Sequence, residues 1–361
     1  MFNHLHYVPI LKSKRAEFVA LGQLAADIKT KLTPMIEVIT VPWDFAKDLP
    51  RKTLKSHIDG VIEYIAKSWP NDLPMFLDLL YVASRNEIIA DKHCLIYCFE
   101  ALRVYKQMVI PVTNIDRDEN YQEALKSILR KDKRGLCVRI QQTDLDDLDN
   151  LSNAIDTLLG KFDLAPNDCD IVLDFQALPL QEVSDPVAYI SNIIRTFPNI
   201  KKWHSFTVAA SNFPKIPAMV ANSTKLISRE EFIIWNEIIK NGRLPKLPSF
   251  GDYAIQHPDL EDVDFRTRKI PVSLRYATPT QWLVYKGREK NKFGHAQFNK
   301  ICSSLVKSNE YCGASFSEGD SYISRCAKNS DGPGRPEEWR RAGFNHHMTL
   351  VVKQLSNFGE P

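Results

Sequence analysis

Glycine is scarce, 14 of 361 residues, and no stretch has the G-x-G-x-x-G or G-x-x-x-x-G-K-[ST] spacing. A dinucleotide site of the Rossmann type and a P-loop are therefore excluded, because both need glycine for backbone amides to approach phosphate closely. A bound nucleotide would have to be held by side chains, and nothing points to NAD. Cysteine is present seven times but without a C-x-x-C pair or a His-rich partner run. Reduced thiols, several of them in apolar segments such as Cys137, are the reading, and a cytoplasmic location is expected. No run approaches the ~20 apolar residues of a membrane helix, and His4, His6 and Pro9 interrupt the N-terminal apolar stretch where a signal peptide needs its core. No membrane partner is expected. Charge of one sign is also missing. With 47 basic against 44 acidic residues, the net charge of +3 gives no support to nucleic-acid binding.

What is present is a repeat. Short apolar runs occur at residues 7–12, 33–39, 74–80, 108–115, 135–141, 169–175, 205–211 and 249–255. Segments of helical spacing lie between them, such as Leu54, Ile58, Val61, Ile62 and Ile65, or Val187, Ile190, Ile194 and Phe197. Strands apolar on both faces belong in a parallel sheet covered by helices. The seven steps from Lys12 to Asp252, strand end to strand end, average about 34 residues, the length of one strand-helix unit. Eight such units predict an α/β TIM-type (β/α)8 barrel.

In this frame residues 229–242 read as helix seven, stopped by Gly242, and 295–311 as helix eight. Residues 269–287 form two alternating segments around Pro279, a predicted β-hairpin inserted after strand eight. A helix over 317–328 is expected to open with Ser317 and Asp320 at capping spacing, and a last helix to cover 345–357. The domain reading is a barrel over 1–311 that includes the hairpin, and a C-terminal helical extension over 312–361 packed on it.

Charged residues end six of the strands: Lys12, Glu37, Asp78, Arg139, Asp174 and Asp252. An unpaired charge is costly inside a packed barrel, so six at equivalent positions imply a polar floor at the C-terminal end, where barrels of this type carry active sites. Such a floor suits acid-base chemistry on a small anionic molecule, by a hydrolase or lyase. Four alternatives stay open: Mg2+ held by Glu37, Asp78 and Asp174, a Schiff base on Lys12, a purely structural network of buried salt bridges, and strand-end charges of which some point outward and cap the following helices. No histidine lies at a strand end and there is no H-E-x-x-H, so zinc is not expected. Arg275 and Lys286 on the hairpin are candidates for recognising an anion. Arg340, Arg341, His346 and His347 would join them if the last helix starts at the mouth.

Three blocks carry a family likeness. They are YVPILKSKRAE with TPMIEV near the start, FGDY before the hairpin, and FSEGDSYI with EEWRRAGFNHHMTLVV at the end. Together they resemble the beta protein family of phage and bacterial genomes, and the block Trp339, Arg340, Gly343, Asn345, His346, His347 is its most specific part. The resemblance implies a part in phage–host conflict, in defence or counter-defence, with a partner protein encoded nearby. It implies no catalytic mechanism, but it draws attention to Lys12, Glu37, Asp252, His346 and His347 inside the matching blocks. A non-catalytic module binding a partner protein, nucleic acid or signal ligand is the other reading.

Overall fold

The computed structural model describes residues 2–82, 87–145, 147–180, 183–215, 218–259 and 271–358. Eight parallel strands close into a barrel: β1 (Tyr7–Lys12), β2 (Met35–Glu37), β5 (Met75–Asp78), β8 (Val109–Thr113), β9 (Leu136–Gln141), β10 (Cys169–Ala177), β11 (Ser205–Ser211) and β13 (Ser249–Asp252), with β13 pairing back onto β1. Each predicted apolar run holds one of them. Two short hairpins, β3 (Trp43–Asp44) with β4 (Leu49–Pro50) and β6 (Ile88–Ile89) with β7 (Lys92–His93), decorate the loops after β2 and β5.

Inward side chains fill the barrel: Val8, Ile10, Met35, Phe76, Val112, Cys137, Val172, Ala209 and Tyr253. Gly251 has no room for a side chain, since an added Cβ would come within 2.9 Å of the Ala209 Cβ. Outward residues pack on the ring of helices, α1 (Arg15–Gly22), α2 (Ala26–Lys29), α3 (Leu54–Ser68), α4 (Cys94–Val104), α5 (Glu119–Asp132), α6 (Leu148–Phe162), α7 (Pro186–Thr196) and α8 (Glu230–Asn241). Local chemistry sets their ends. Asp118, Asp147 and Asp185 each accept a backbone N–H three residues on, and Gly242 closes α8 at φ 59°.

After β13 come β14 (Pro271–Ala277), β15 (Gln281–Glu289), α9 (Lys290–Phe293), α10 (Gln297–Val306), α11 (Glu318–Ala327) and α12 (Pro336–Asn357). The hairpin forms as expected, and β12 (Ser223–Ser228), from the loop after β11, adds a third antiparallel strand. Periodicity does not reveal β12, because STKLIS alternates weakly and its strand is largely exposed. Val272, Leu274, Tyr276 and Leu283 of this sheet form a separate core with Phe298, Cys302 and Leu305 of α10, Tyr322, Ile323 and Cys326 of α11, and Trp339 and Ala342 of α12. This sheet of β12, β14 and β15 with α10 and α11 is termed the lid, and segment 295–311 is thus a helix of the lid, not helix eight. The eighth place is taken by α12, whose Asn345 bonds to Ala20 of α1 and which runs into Phe358, packed on Trp235 of α8. The reason is in the side chains. Phe298, Cys302 and Leu305 make one narrow stripe, enough for one contact surface, whereas α12 is buried all round from Ala342 to Val352, as a helix between two cores must be.

Candidate active site at the C-terminal mouth of the barrel

Five of the six charged strand ends converge inside the barrel. Lys12, Glu37 and Asp78 are neighbours in strand register, on the inward side with Ile10, Met35 and Phe76. The Arg139 guanidinium lies among the carboxylates. Its Nη1 is 2.8 Å from Asp78 Oδ2 and 2.9 Å from Glu37 Oε1, and its Nη2 is 2.7 Å from Asp174 Oδ2. Lys12 Nζ stands 3.5 Å from Glu37 Oε2 and also donates to the Pro258 carbonyl. Each of the five is at most 3% exposed.

Two further partners complete the cluster. Arg117, on the loop after β8, donates to Asp78 Oδ1 at 2.9 Å and stacks on Tyr121. The Tyr253 hydroxyl donates to Asp174 Oδ2 at 2.6 Å and accepts from Arg139 at 2.7 Å. Neither stands out in the sequence: a period of two puts Tyr253 and its neighbour Asp252 on opposite faces, and only the structure shows that Tyr253 is the inward one. Three carboxylates thus meet three cations, and the cluster is balanced. Although burial opposes its charge, the anionic surroundings hold the Arg139 guanidinium protonated well above its ordinary range. Burial, followed by Glu37, raises the Tyr81 hydroxyl beside the cluster.

The carboxylates differ in how fully they are bonded. Asp174 takes Arg139 and Tyr253 on Oδ2 and the Gln176 N–H on Oδ1, while Asp78 takes the Leu80 N–H, Arg117 and Arg139. Glu37 has only the 3.5 Å contact from Lys12 and a misaligned approach from Arg139 that leaves Oε1 without a hydrogen bond. It is the carboxylate with capacity to spare. Glu37, Asp78 and Asp174 do not fit Mg2+, since a guanidinium occupies the centre they surround, and among the described residues no group of three or more ligating side chains is arranged for a metal.

Asp252 is set apart. It shares its face with Phe250, packed against α8, and so points out of the barrel. There it accepts from the Tyr7 hydroxyl and from His347 Nε2 at 2.7 Å. Burial works to raise its carboxyl, but His347 and Tyr7 outweigh it and hold the group below the usual range. His347 is pushed down by burial. Trp282 stacks on the His347 ring at 4.7 Å, and buried Arg229 lies over Trp282.

The remaining candidates are spread over the lid. Arg275 Nη1 donates to the Ile255 carbonyl at 2.6 Å, and burial, then Arg340, pushes its guanidinium down to about 9. Lys286 donates to the Met219 carbonyl at 2.7 Å, fastening β15 to the loop after β11. Arg340 is exposed near the start of α12, and Arg341 lies over the Tyr322 ring. The terminal block works as a latch. Trp339 stacks on Phe298, and Gly343 lets α12 approach Ile255, whose Cδ1 an added Cβ would meet at 2.8 Å. Asn345 joins Gly319 of α11 to Ala20 of α1, and His346 joins Asp320 of α11 to the Ala277 carbonyl of β14. Neither His346 nor His347 reaches the mouth.

One buried carboxylate near this seam has no hydrogen bond. Glu17 of α1 is fully buried with both oxygens unpartnered, and burial raises it to about 7 against the pull of Arg340 and Lys14. A carboxyl raised in the folded state contributes its stability below the unfolded value, near 4.5, and loses it as pH rises through about 7. E17Q is therefore expected to be more stable than the parent at pH 8, by about 2–3 kcal/mol, and to lose that advantage by pH 5. Urea unfolding at the two pH values measures it, and an equal difference at both would sink the assignment.

No curated protein matches the chain. Among solved structures, a mutant tryptophan synthase α-subunit from Pyrococcus furiosus is 10% identical with a TM-score of 0.40, covering 70% of this chain and 89% of that one. An AP endonuclease of family 2 from Brucella melitensis is 11% identical with a TM-score of 0.29, covering 70% and 93%. Likeness this loose says nothing of chemistry. The family model described as Beta protein matches residues 7–353, from the first barrel strand to the last helix, and the chain belongs to that family.

Proposed function

We propose that the protein is an enzyme of phage–host conflict that acts on a small anionic molecule at the C-terminal mouth, with Glu37 as the base. The observation that carries this reading is the unequal bonding of the carboxylates. Asp78 and Asp174 spend their lone pairs on Arg139, Arg117, Tyr253 and backbone N–H groups, which makes them a fixed electrostatic frame. Glu37 keeps an oxygen without a hydrogen bond and has a lysine beside it. In that role Glu37 takes a proton from the substrate or from an attacking water, and Lys12 faces the charge that develops. The Pro258 carbonyl binds Lys12 from the loop after β13, so a substrate reaches the pair by displacing that contact. The family resemblance supports the setting in phage–host conflict, and the barrel supports the place of the chemistry.

E37Q and K12M test the roles. Each is expected to abolish protection, or counter-protection, in a phage plating assay while keeping the parent's circular dichroism and a cooperative melt. Full activity in both variants, correctly folded, would remove the acid-base reading and leave the barrel as a binding module.

A further inference from the structure

The opposite end of the barrel carries a feature that net charge averages away. Between α5 and α6 at their C-terminal ends lies a groove of about 820 Å3, floored by Gly135, Asp168 and Asp170 where β9 and β10 begin. Its cations are Lys126, Arg130, Lys133, Arg134 and Lys161. A shallower depression of about 400 Å3 adjoins it, shares Lys126 and Arg130, and adds Lys131. The acids in the groove are partly engaged. Asp170 is bonded to His204 and Ser205, and Asp168 accepts the Ala165 N–H, which leaves Asp163 to face the cations.

The cations fall into two kinds. Arg134 donates to the Gln107 carbonyl and Lys161 to Gln122 Oε1, so these two are anchored. Lys126, Arg130 and Lys133 are anchored by no side-chain ion pair among the described residues, whereas Lys131 acts on Glu100 of α4 and Glu123 lines the shallower depression beside Lys126. Lys126 and Arg130 stand one turn apart, about 6 Å along the axis, and like charges at that spacing weaken a helix by about 0.2–0.5 kcal/mol. The dipole at a helix C-terminus favours one or two cations in the last turn. It accounts for Arg130 and Lys161, in the last turns of α5 and α6, but not for Lys126, a turn before Arg130. A row of unpaired cations spaced at helical turns along a groove is the arrangement that meets successive phosphates.

We propose that this groove binds the phosphates of a single-stranded polynucleotide, at a site separate from the mouth and independent of the reaction there. The test uses the full chain, a labelled single-stranded 20-mer of RNA or DNA in fluorescence anisotropy, and ATP and inorganic phosphate as competitors. Binding is expected to weaken steeply with salt. In K126Q/R130Q/K133Q the slope of log K against log salt should shrink by about 2, since each phosphate of a single strand that a cation neutralises contributes about 0.7 to it. E37Q should bind like the parent, which separates failure here from failure at the mouth. Displacement of the labelled strand by ATP or inorganic phosphate as effectively as by unlabelled strand would move the same site to free phosphates and overturn the polynucleotide reading. No binding of any probe, or a triple variant indistinguishable from the parent, would overturn the proposal.

Discussion

Replacing Arg139 with Met is expected to cost about 3–5 kcal/mol of stability, one of the two largest losses predicted for single substitutions in this chain. The guanidinium is the shared partner of Glu37, Asp78 and Asp174, each within 2.9 Å of it. Methionine fills much of the volume and removes the charge, stranding three buried carboxylates against one another. Lys12 and Arg117 neutralise two of them at one side only. Urea unfolding should show a lower midpoint with an unchanged slope. Acid should partly rescue the variant. A stranded carboxylate can be neutralised by a proton, so the folded variant binds more protons than its unfolded chain, and its stability rises as pH falls. A loss below about 1 kcal/mol would mean that water reaches the cluster and screens it.

The same cluster allows the converse experiment. Replacing a buried ionic network wholesale by apolar residues of similar volume is often neutral or stabilising. A variant with Lys12, Arg117 and Arg139 as Met and Glu37, Asp78 and Asp174 as Leu is expected to fold at least as well as R139M and to be inactive. Charges that stability does not require, kept at the end of a barrel where chemistry is usually done, are the physical case for a site.

Much of this was written in the sequence. Eight apolar runs about 34 residues apart give eight strands, because a parallel sheet buried on both faces must be apolar in nearly every residue. The charged ends of those runs give the cluster, because only pairing makes a buried charge tolerable. What periodicity could not give was the face. Asp252 ends its run just as Glu37 and Asp78 end theirs, yet it projects outward to His347, since Gly251 and Tyr253 take the inward positions. In a run as short as SFGD, one step of register decides between barrel and helix layer.

The lid was hidden for another reason. β12 lies between β11 and α8, some 50 residues before the hairpin it joins, and only tertiary pairing reveals it. The exchange between α10 and α12 as the eighth helix is equally non-local. Both segments read as helices, and the choice rests on how many sides of each must be covered. The W-R-x-x-G-x-N-H-H block suggested chemistry because histidine and arginine are its visible residues. Its histidines serve instead as hydrogen-bonding bridges between elements distant in sequence, a role that leaves no local signature.

That latch gives the second large effect: D320N is expected to cost about 3–5 kcal/mol at neutral pH. Asp320 is fully buried and accepts from Tyr276 at 2.7 Å, Ser317 at 2.6 Å and His346 Nδ1 at 2.8 Å. Asparagine keeps the shape but turns one acceptor oxygen into a donor, leaving a hydroxyl or the imidazole without its partner. His346 loses most, since its other nitrogen is already taken up by the Ala277 carbonyl. Burial works to raise the Asp320 carboxyl, yet His346, Ser317 and Tyr276 hold it below its ordinary value. A depressed carboxyl contributes stability that is present above the unfolded value, near 3.8, and is lost as pH falls through the folded one. The gap between parent and D320N should therefore be widest at neutral pH and close below about pH 4. Because α12 serves the lid core with Trp339 and the barrel core with Phe344 and Met348, the damage should spread along it. Hydrogen exchange should accelerate first in β14, α11 and the first turns of α12, with β8, β9 and β10 protected until global unfolding. Uniform acceleration across the barrel strands would show instead that lid and barrel unfold as one unit and that the latch holds no separate element.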